Sequence, residues 1–518
     1  MHKNDTLIFN IRFVLKVFKL YMNKTKIIFI SLLCSFVSTF AFSYGGPTVN
    51  DRNVQPLFGP KLVKKKLIKV PSNINIEKSI LGTIIINQKY IQISQQLIKN
   101  TAWRKVEQGK VINLVELEQN IKNLNSINGI GASAVFKKNI NNVVDLIINL
   151  KKTDPSKARV RVDNSGSRTS GFVKSTSTLS YDNFFNMGER FGLKQVHTAA
   201  NGTNYYEINN KMPIGIEGSS LAFRAARMRY DLGAYATHPI QRGLEGGSSF
   251  VDVNFDKPLI YGDNLNLNLG LGLFRGSFQE YKNMGGATEK DARIQRGDLS
   301  LDLSFSDNLF KQSATNARII FSHGKNIYSD SGVEYSPAND QEGSNGKFSK
   351  INPAFSRIEK INDKTNLLLK FKGQYAFDNL DGTEEFSLGG TYNVRGYPNN
   401  EGSGDTGYIT TLELQRSIQK NLMVSLLFDY GKIWTHKDLE AATNGGAWTP
   451  FGYNNLIPVY DIMSGGIAVD WKIIPGSTLK MQVIDHLGIS NRGKRDDGQD
   501  FDRTTYKTKL LLSFTQNF

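Results

Sequence analysis

From about residue 157 to the C-terminus, apolar residues recur at every second position. Leu265, Leu267, Leu269, Leu271 and Leu273 alternate with Asn266, Asn268, Gly270 and Gly272, and Leu299, Leu301, Leu303 and Phe305 alternate with Ser300, Asp302 and Ser304. A period of two belongs to a β-strand with one apolar and one polar face. Further runs (Phe172 to Tyr181, Leu367 to Tyr375, Met423 to Asp429, Leu479 to Val483, Tyr506 to Phe514) are separated by Asn, Asp, Gly and Ser, which favour turns. Roughly sixteen runs of about 8–12 residues follow one another, a length that crosses a bilayer as a tilted strand. A sheet can sit in lipid only if it has no edge, so the array predicts closure. The expected fold is mainly β: a transmembrane antiparallel β-barrel of about 16 strands over residues 157–518.

The pattern differs over residues 79–152. Ile80-Leu81-Gly82-Thr83-Ile84-Ile85-Ile86 reads as a strand, and a helical stretch is expected from about Gln92 to Val106. Leu114, Leu117, Ile121, Leu124 and Ile127 then form a stripe at helical spacing, ended by Gly129 and Gly131. Two β runs follow, Ala132 to Phe136 and Val143 to Leu150, with Asn-rich turn residues between them. The order β-α-α-β-β predicts one small α+β module. Residues 44–78, with Lys61, Lys64, Lys65, Lys66 and Lys69, read as a solvated basic lead-in.

The N-terminus carries an export signal. Lys24 and Lys26 precede an apolar run from Ile27 to Phe42, and Ala41-Phe42-Ser43 offers a small-x-small cleavage site. Residues 1–43 are therefore expected to be removed, and Met22 by itself opens a complete signal. The sole cysteine, Cys34, lies in this segment, so the mature chain would hold no thiol or disulfide.

Composition narrows the class. Of 518 residues, 39% are hydrophobic and 47 are glycine, too polar for a polytopic helical transporter and compatible with a barrel. The net charge is +17; residues 1–43 hold six Lys/Arg and one Asp, so their removal leaves +12. In an exported protein such a surplus fits a basic lumen, an anionic lipid surface or an acidic client rather than nucleic acid. The chain has six His and no Gly-x-Ser-x-Gly, His-Glu-x-x-His or P-loop, so neither enzyme activity nor a cofactor or metal is expected. The final strand alternates through Leu510, Leu512, Phe514 and Gln516 to the terminal Phe518, the usual ending of an outer-membrane barrel.

Five ordered segments carry a resemblance. They are Phe386-Ser387-Leu388-Gly389-Gly390 with Asn393-Val394-Arg395-Gly396-Tyr397; Gly404-Asp405-Thr406-Gly407 leading to Glu413-Leu414; Phe428-Asp429-Tyr430-Gly431-Lys432; Asp163-Asn164-Ser165-Gly166 with Gly171 and Asp182-Asn183; and Leu117-Glu118-Gln119 through Leu124-Asn125. Together, over roughly residues 79–518, the chain resembles the outer-membrane transporters of two-partner secretion, the TpsB or haemolysin secretion/activation (ShlB/FhaC/HecB) type. The resemblance implies that residues 79–152 are a POTRA domain in the periplasm, and that a loop over about 386–407 folds back into the barrel. Val394, Arg395, Gly396 and Tyr397 would cap that loop, supported by Gly389, Gly390, Glu413, Phe428 and Gly431. It further implies a secreted exoprotein client, contact with outer-membrane lipid and lipopolysaccharide, and recognition of the C-terminal strand ending in Phe518 by the barrel-assembly machinery.

Physical reasoning adds to the resemblance. An arginine inside a lumen needs a carboxylate, because a buried unpaired charge is costly; Asp429 is the expected partner. Val135 and Phe136 mark a candidate strand edge for capturing the client by β-augmentation. Leu117, Ile121 and Leu124 line either a client groove or the module's own core, and a core stripe is the commoner role. The chain departs from the family at its N-terminal end: about 35 residues between cleavage site and module leave little room for a plug helix or a second POTRA. An assembly insertase of the same superfamily and a passive porin are the alternative functions.

Overall fold

The computed structural model describes residues 68–69, 74, 80–87, 109–125, 127–139, 143–199, 202–214, 218–231, 244–262, 264–282, 288–309, 311–328, 343–438, 459–487 and 506–518. The expected signal segment and the expected helix at 92–106 lie outside them.

The N-terminal region is an α+β unit. Strands β1 (Ile68–Lys69), β2 (Ile80–Asn87), β3 (Ile130–Lys138) and β4 (Val143–Lys152) form one sheet in the order β1-β3-β4-β2. Helix α1 (Leu114–Asn125) covers one face. Asn113 starts it, its side-chain carbonyl accepting the Glu116 N–H at 3.3 Å. Asn125 ends it by bonding the N–H and C=O of Ala132 on β3, both at 2.9 Å. The stripe Leu117, Ile121 and Leu124 is at most 1% exposed and packs with Phe136, Leu146 and Ile148. These helical residues and Phe136 therefore form the core and line no groove. Among the described residues, the outer edge of β3 is covered at two positions. The strand pairs with β4 along its length, and on its other side Ile68 and Lys69 of the lead-in run parallel to Ala134 and Val135. A lead-in expected to be wholly solvated thus supplies a short strand, because Ile68 is an apolar residue that the core buries to 2% exposure.

The rest of the described chain closes into a barrel. Its strands are β5 (Ser156–Asp163), β6 (Lys174–Asp182), β7 (Arg190–Thr198), β8 (Thr203–Pro213), β9 (Ser220–Asp231), β10 (Leu244–Tyr261), β11 (Leu265–Lys282), β12 (Thr288–Asp307), β13 (Ser313–Tyr328), β14 (Gly346–Lys360), β15 (Thr365–Ala376), β18 (Thr406–Gln419), β19 (Leu422–Trp434), β20 (Val459–Lys472), β21 (Ser477–His486) and β22 (Thr508–Asn517). The intervening β16 (Phe386–Ser387) and β17 (Ser403–Gly404) form a separate two-stranded hairpin. Every barrel strand pairs antiparallel with its neighbours, and β22 returns to pair with β5 from Ser513↔Asp163 to Asn517↔Arg159. This is the sixteen-stranded antiparallel barrel that the alternating runs predict. β10 to β13 are longer than expected, at 16 to 20 residues.

Alternation sorts the two faces. Leu412, Leu414, Leu426, Phe428, Ile467, Val483 and Leu512 stay exposed on the outside, while Thr411, Glu413, Asp429 and Ser464 are buried on the inside. Trp434 at one end of β19 and Trp471 at the opposite end of the paired β20 are exposed, where indole rings suit both membrane interfaces. The terminal Phe518 is exposed, and its N–H bonds to the Ala158 carbonyl at 2.9 Å, adding one rung to the seam. No helix among the described residues is long and apolar enough to cross a membrane.

The α+β unit abuts the short-turn end of the barrel. Asn128 bonds through both its backbone and side-chain nitrogens to the Gly188 carbonyl, at 3.3 and 3.2 Å, in the turn between β6 and β7. A cavity of about 480 Å³ lies between Asn123 and Asn128 of this unit and the wall residues Asp256, Asp302 and Arg318.

Because Ile121 has no exposure, Ile121→Ala should cost the α+β unit about 2–5 kcal/mol. Limited proteolysis of the full chain should then cut residues 80–152 faster. The barrel should keep its shift in gel mobility on heating, since no wall contact is lost.

Candidate functional site in the barrel lumen

The connection between β15 and β18, residues 377–405, folds back inside the barrel instead of leaving it. Phe386 pairs with Gly404 and Ser387 with Ser403, so the loop is a narrow hairpin. Phe386, Leu388, Val394 and Tyr397 bury themselves against Ile409, Ile433, Tyr460 and Ile462 of the wall. Gly389 lets the two legs of the hairpin close on each other, and Gly431 lets the hairpin meet the wall. A Cβ on Gly389 would fall on the Pro398 carbonyl oxygen, and one on Gly431 would lie 2.9 Å from Leu388 Cδ2 and 3.0 Å from Val394 Cγ2. Gly390 adopts φ +121°, a region that strains residues with a side chain. Phe428 points outward, 39% exposed, away from the loop.

Arg395 sits at the tip of the hairpin with its side chain 8% exposed. Its Nε and Nη2 donate to the two oxygens of Asp429, both at 2.7 Å, and its Nη1 donates to Glu413 at 2.7 Å. Its backbone N–H also reaches Asp429, at 3.2 Å. One planar guanidinium thus satisfies two buried carboxylates, one of them bidentately. Glu413 therefore joins Asp429 as a direct partner, beyond the supporting place the sequence suggests.

The wall row that receives the tip is set by strand register. Thr411 pairs with Asp429, Asp429 with Ser464, and Ser464 with His486. Four strands therefore present four polar side chains abreast. Thr411 donates to Asp429 at 2.9 Å, Ser464 accepts the Gly396 N–H at 3.2 Å, and His486 Nε2 meets the Gly396 carbonyl at 3.0 Å. The Tyr397 ring stacks on the His486 ring, centroids 3.9 Å apart, and Lys509 donates to the Tyr397 carbonyl at 2.8 Å. Thr411, Ser464, His486 and Lys509 are not singled out by sequence. Each lies in an ordinary alternating run, and only the register between strands brings it to this level.

A second cluster holds the outgoing leg of the loop. The Glu384 carboxylate pairs with Lys350 on β14 at 2.7 Å and with Arg296 on β12, and Lys350 also donates to the Glu384 carbonyl at 2.6 Å. Gln374 on β15 bonds the carbonyls of Glu384 and Asp405, each at 3.0 Å. The Lys350 side chain is 2% exposed and that of Arg296 7%. The hairpin is consequently fixed to two sectors of the wall, β12–β15 and β18–β21.

A barrel with a hairpin pinned in its lumen by a buried Arg–carboxylate cluster agrees with the sequence comparison. The pattern of the haemolysin secretion/activation protein family ShlB/FhaC/HecB matches residues 143–448, more than half of the chain. The chain belongs to this family. Its closed barrel is an outer-membrane barrel. Members of the wider group are distant in sequence. The outer membrane transporter CdiB of Dickeya dadantii (strain 3937) is 20% identical over 352 residues, covering 66% of this chain and 61% of that relative. The chain thus spans under two thirds of the length of that curated relative. Among solved structures, CdiB from Escherichia coli matches with TM-score 0.66 at 15% identity, over 85% of this chain and 77% of that one. CdiB from Acinetobacter baumannii matches with TM-score 0.62 at 16% identity, over 85% and 74%. These two likenesses establish the shared fold.

Gly389→Ala should expel the hairpin tip, since the obstructing atom is backbone and cannot rotate away. In outer-membrane preparations, added protease should then cut within residues 386–405, which are protected in the native protein.

Proposed function

We propose that this chain is an outer-membrane translocator that recognises an unfolded exoprotein in the periplasm and exports it through the barrel, as in two-partner secretion. The observation that carries this reading is the lumen hairpin pinned through Arg395 to Asp429 and Glu413. A passive porin would share the barrel but would have no reason to carry the α+β unit or the Val394–Tyr397 tetrad. Residues 79–152 are read as a POTRA domain, and residues 1–43 as the export signal that delivers the chain. The unit's position beside the 480 Å³ cavity supports this: a client bound there would already be at the lumen's lower mouth.

Capture by β-augmentation needs an edge, because backbone bonds supply the affinity. On β3 the stretch Ala134–Val135 is engaged by Ile68–Lys69. A client strand added there must displace Ile68–Lys69 of the lead-in. Export takes the client in extended form, and its folding outside drives the direction, with no nucleotide required. Lipid and lipopolysaccharide surround the apolar outer band, and the barrel-assembly machinery reads the last strand with its exposed Phe518.

Arg395→Ala leaves Asp429 and Glu413 buried without their cation; breaking such a pair typically costs about 3–5 kcal/mol. Co-expression with a large exoprotein encoded next to this chain should show secretion reduced at least tenfold, with the barrel still inserted. Secretion at the native level would sink the role given to the hairpin anchor. Deleting residues 79–152 should abolish secretion and leave a conducting channel in planar bilayers; persistent secretion would mean that this unit is not the receptor.

A further inference from the structure

Above the Arg395 anchor, three chain segments converge on a different chemistry. Glu385 opens the lumen hairpin, Asp405 closes it, and His436 lies two residues beyond the end of β19. One donor atom from each comes within 4.8 Å of the other two. We propose that Glu385, Asp405 and His436 bind a divalent transition-metal ion, for which Zn²⁺ is the best chemical fit. The proposal stands apart from the secretion reading and does not depend on it.

Two observations beyond the clustering point to a cation. Asp405 is 0% exposed, yet no Lys or Arg nitrogen among the described residues pairs with it. The nearby cations are committed elsewhere: Lys350 to Glu384, and Lys437 to the hydroxyl of Tyr375 at 2.9 Å, over whose ring it also sits. A buried carboxylate with no cation paired to it calls for a positive charge. The other observation is the Nδ1 of His436, which is buried with no hydrogen-bond partner. A metal ion would neutralise the Asp405 carboxylate and be held through an imidazole nitrogen of His436.

The Asp405 carboxylate is already held in place. One oxygen accepts the Leu380 N–H at 2.9 Å and the other the Lys437 N–H at 2.8 Å. A carboxylate oxygen has two lone-pair sites, so each keeps one for a metal. Outer hydrogen bonds of this kind are what orient metal ligands. One imidazole and two carboxylates suit Zn²⁺, with water completing a tetrahedron. Ca²⁺ and Mg²⁺ prefer all-oxygen shells with six or more ligands. No ligand spacing is visible in sequence, because the three residues stand 20 and 31 positions apart and meet only through the fold. A bound ion would fasten both legs of the hairpin to the segment after β19.

The test uses the full chain, free of any His-tag, purified in detergent and stripped with EDTA. Titration calorimetry with ZnCl₂, followed by elemental analysis after dialysis, should give one Zn²⁺ per chain. Ca²⁺ in tenfold excess should leave that value unchanged. His436→Ala and Glu385→Gln should each weaken binding at least tenfold while the heat-dependent gel shift of the barrel is kept. X-ray absorption should report a shell of one imidazole nitrogen with oxygens. Absence of binding, displacement by Ca²⁺, or binding that neither substitution weakens (an adventitious ion only) would each overturn the site.

Discussion

Hydrocarbon offers no hydrogen bonds, so every backbone N–H and C=O in a membrane-spanning sheet must find its partner in the protein. Everything else in this molecule depends on the one place where that is hardest, the seam between the last strand and the first. β22 and β5 share only the register from Ser513↔Asp163 to Asn517↔Arg159. Side chains lengthen the seam at its upper end. The Asn164 amide donates to the Leu510 carbonyl and accepts from the Leu512 N–H, both at 2.8 Å. An asparagine side chain here reproduces the donor and acceptor of a peptide and continues the ladder past the end of the strand. At the lower end, Arg159 donates to the Asn517 side chain at 2.8 Å, and Phe518 adds a backbone rung.

A closed wall creates a polar interior, and the interior is then governed by charge. The hairpin contributes Arg395, Glu384 and Asp405; the wall contributes Asp429, Glu413, Arg296 and Lys350. Opposite charges thus meet across the boundary between hairpin and wall. Without the hairpin, Asp429 and Glu413 on one sector lose Arg395, and Lys350 on the other loses Glu384. The cost of separation is what gives the loop one preferred seat. Apolar packing of Leu388, Val394 and Tyr397 supplies close fit around that seat, while Gly431 sets how near hairpin and wall come and Gly389 how near the hairpin's two legs come.

How much of this was legible in the sequence depended on the range of the interaction. The strand array was readable because a period of two is local, and so was the helix stripe of Leu117, Ile121 and Leu124. Asp429 was reachable as a partner for Arg395 because a carboxylate sits in a recognisable segment and an internal arginine must be paired. His486, Ser464 and the Glu384 cluster were not reachable. Their meaning comes from inter-strand register and from which strand faces which across the lumen, and neither is encoded in any one run. The strand that Ile68 and Lys69 add beside β3 was hidden for a related reason: they look like part of a basic linker until the core beneath them is known.

The unequal strand lengths have a geometric outcome. At ~3.3 Å per residue and a tilt near ~40°, the 20 residues of β12 rise about 50 Å and the 8 residues of β5 about 20 Å, against an apolar band of about 25 Å. With short turns aligning the strands at the lower end, the surplus stands above the outer membrane surface. The mouth is therefore sloped, with a parapet of β10–β13 on one side and a low sill at the seam on the other. A polypeptide exported as proposed would leave along the polar inner face of that taller side. Unequal strand lengths thus give the rim itself a direction.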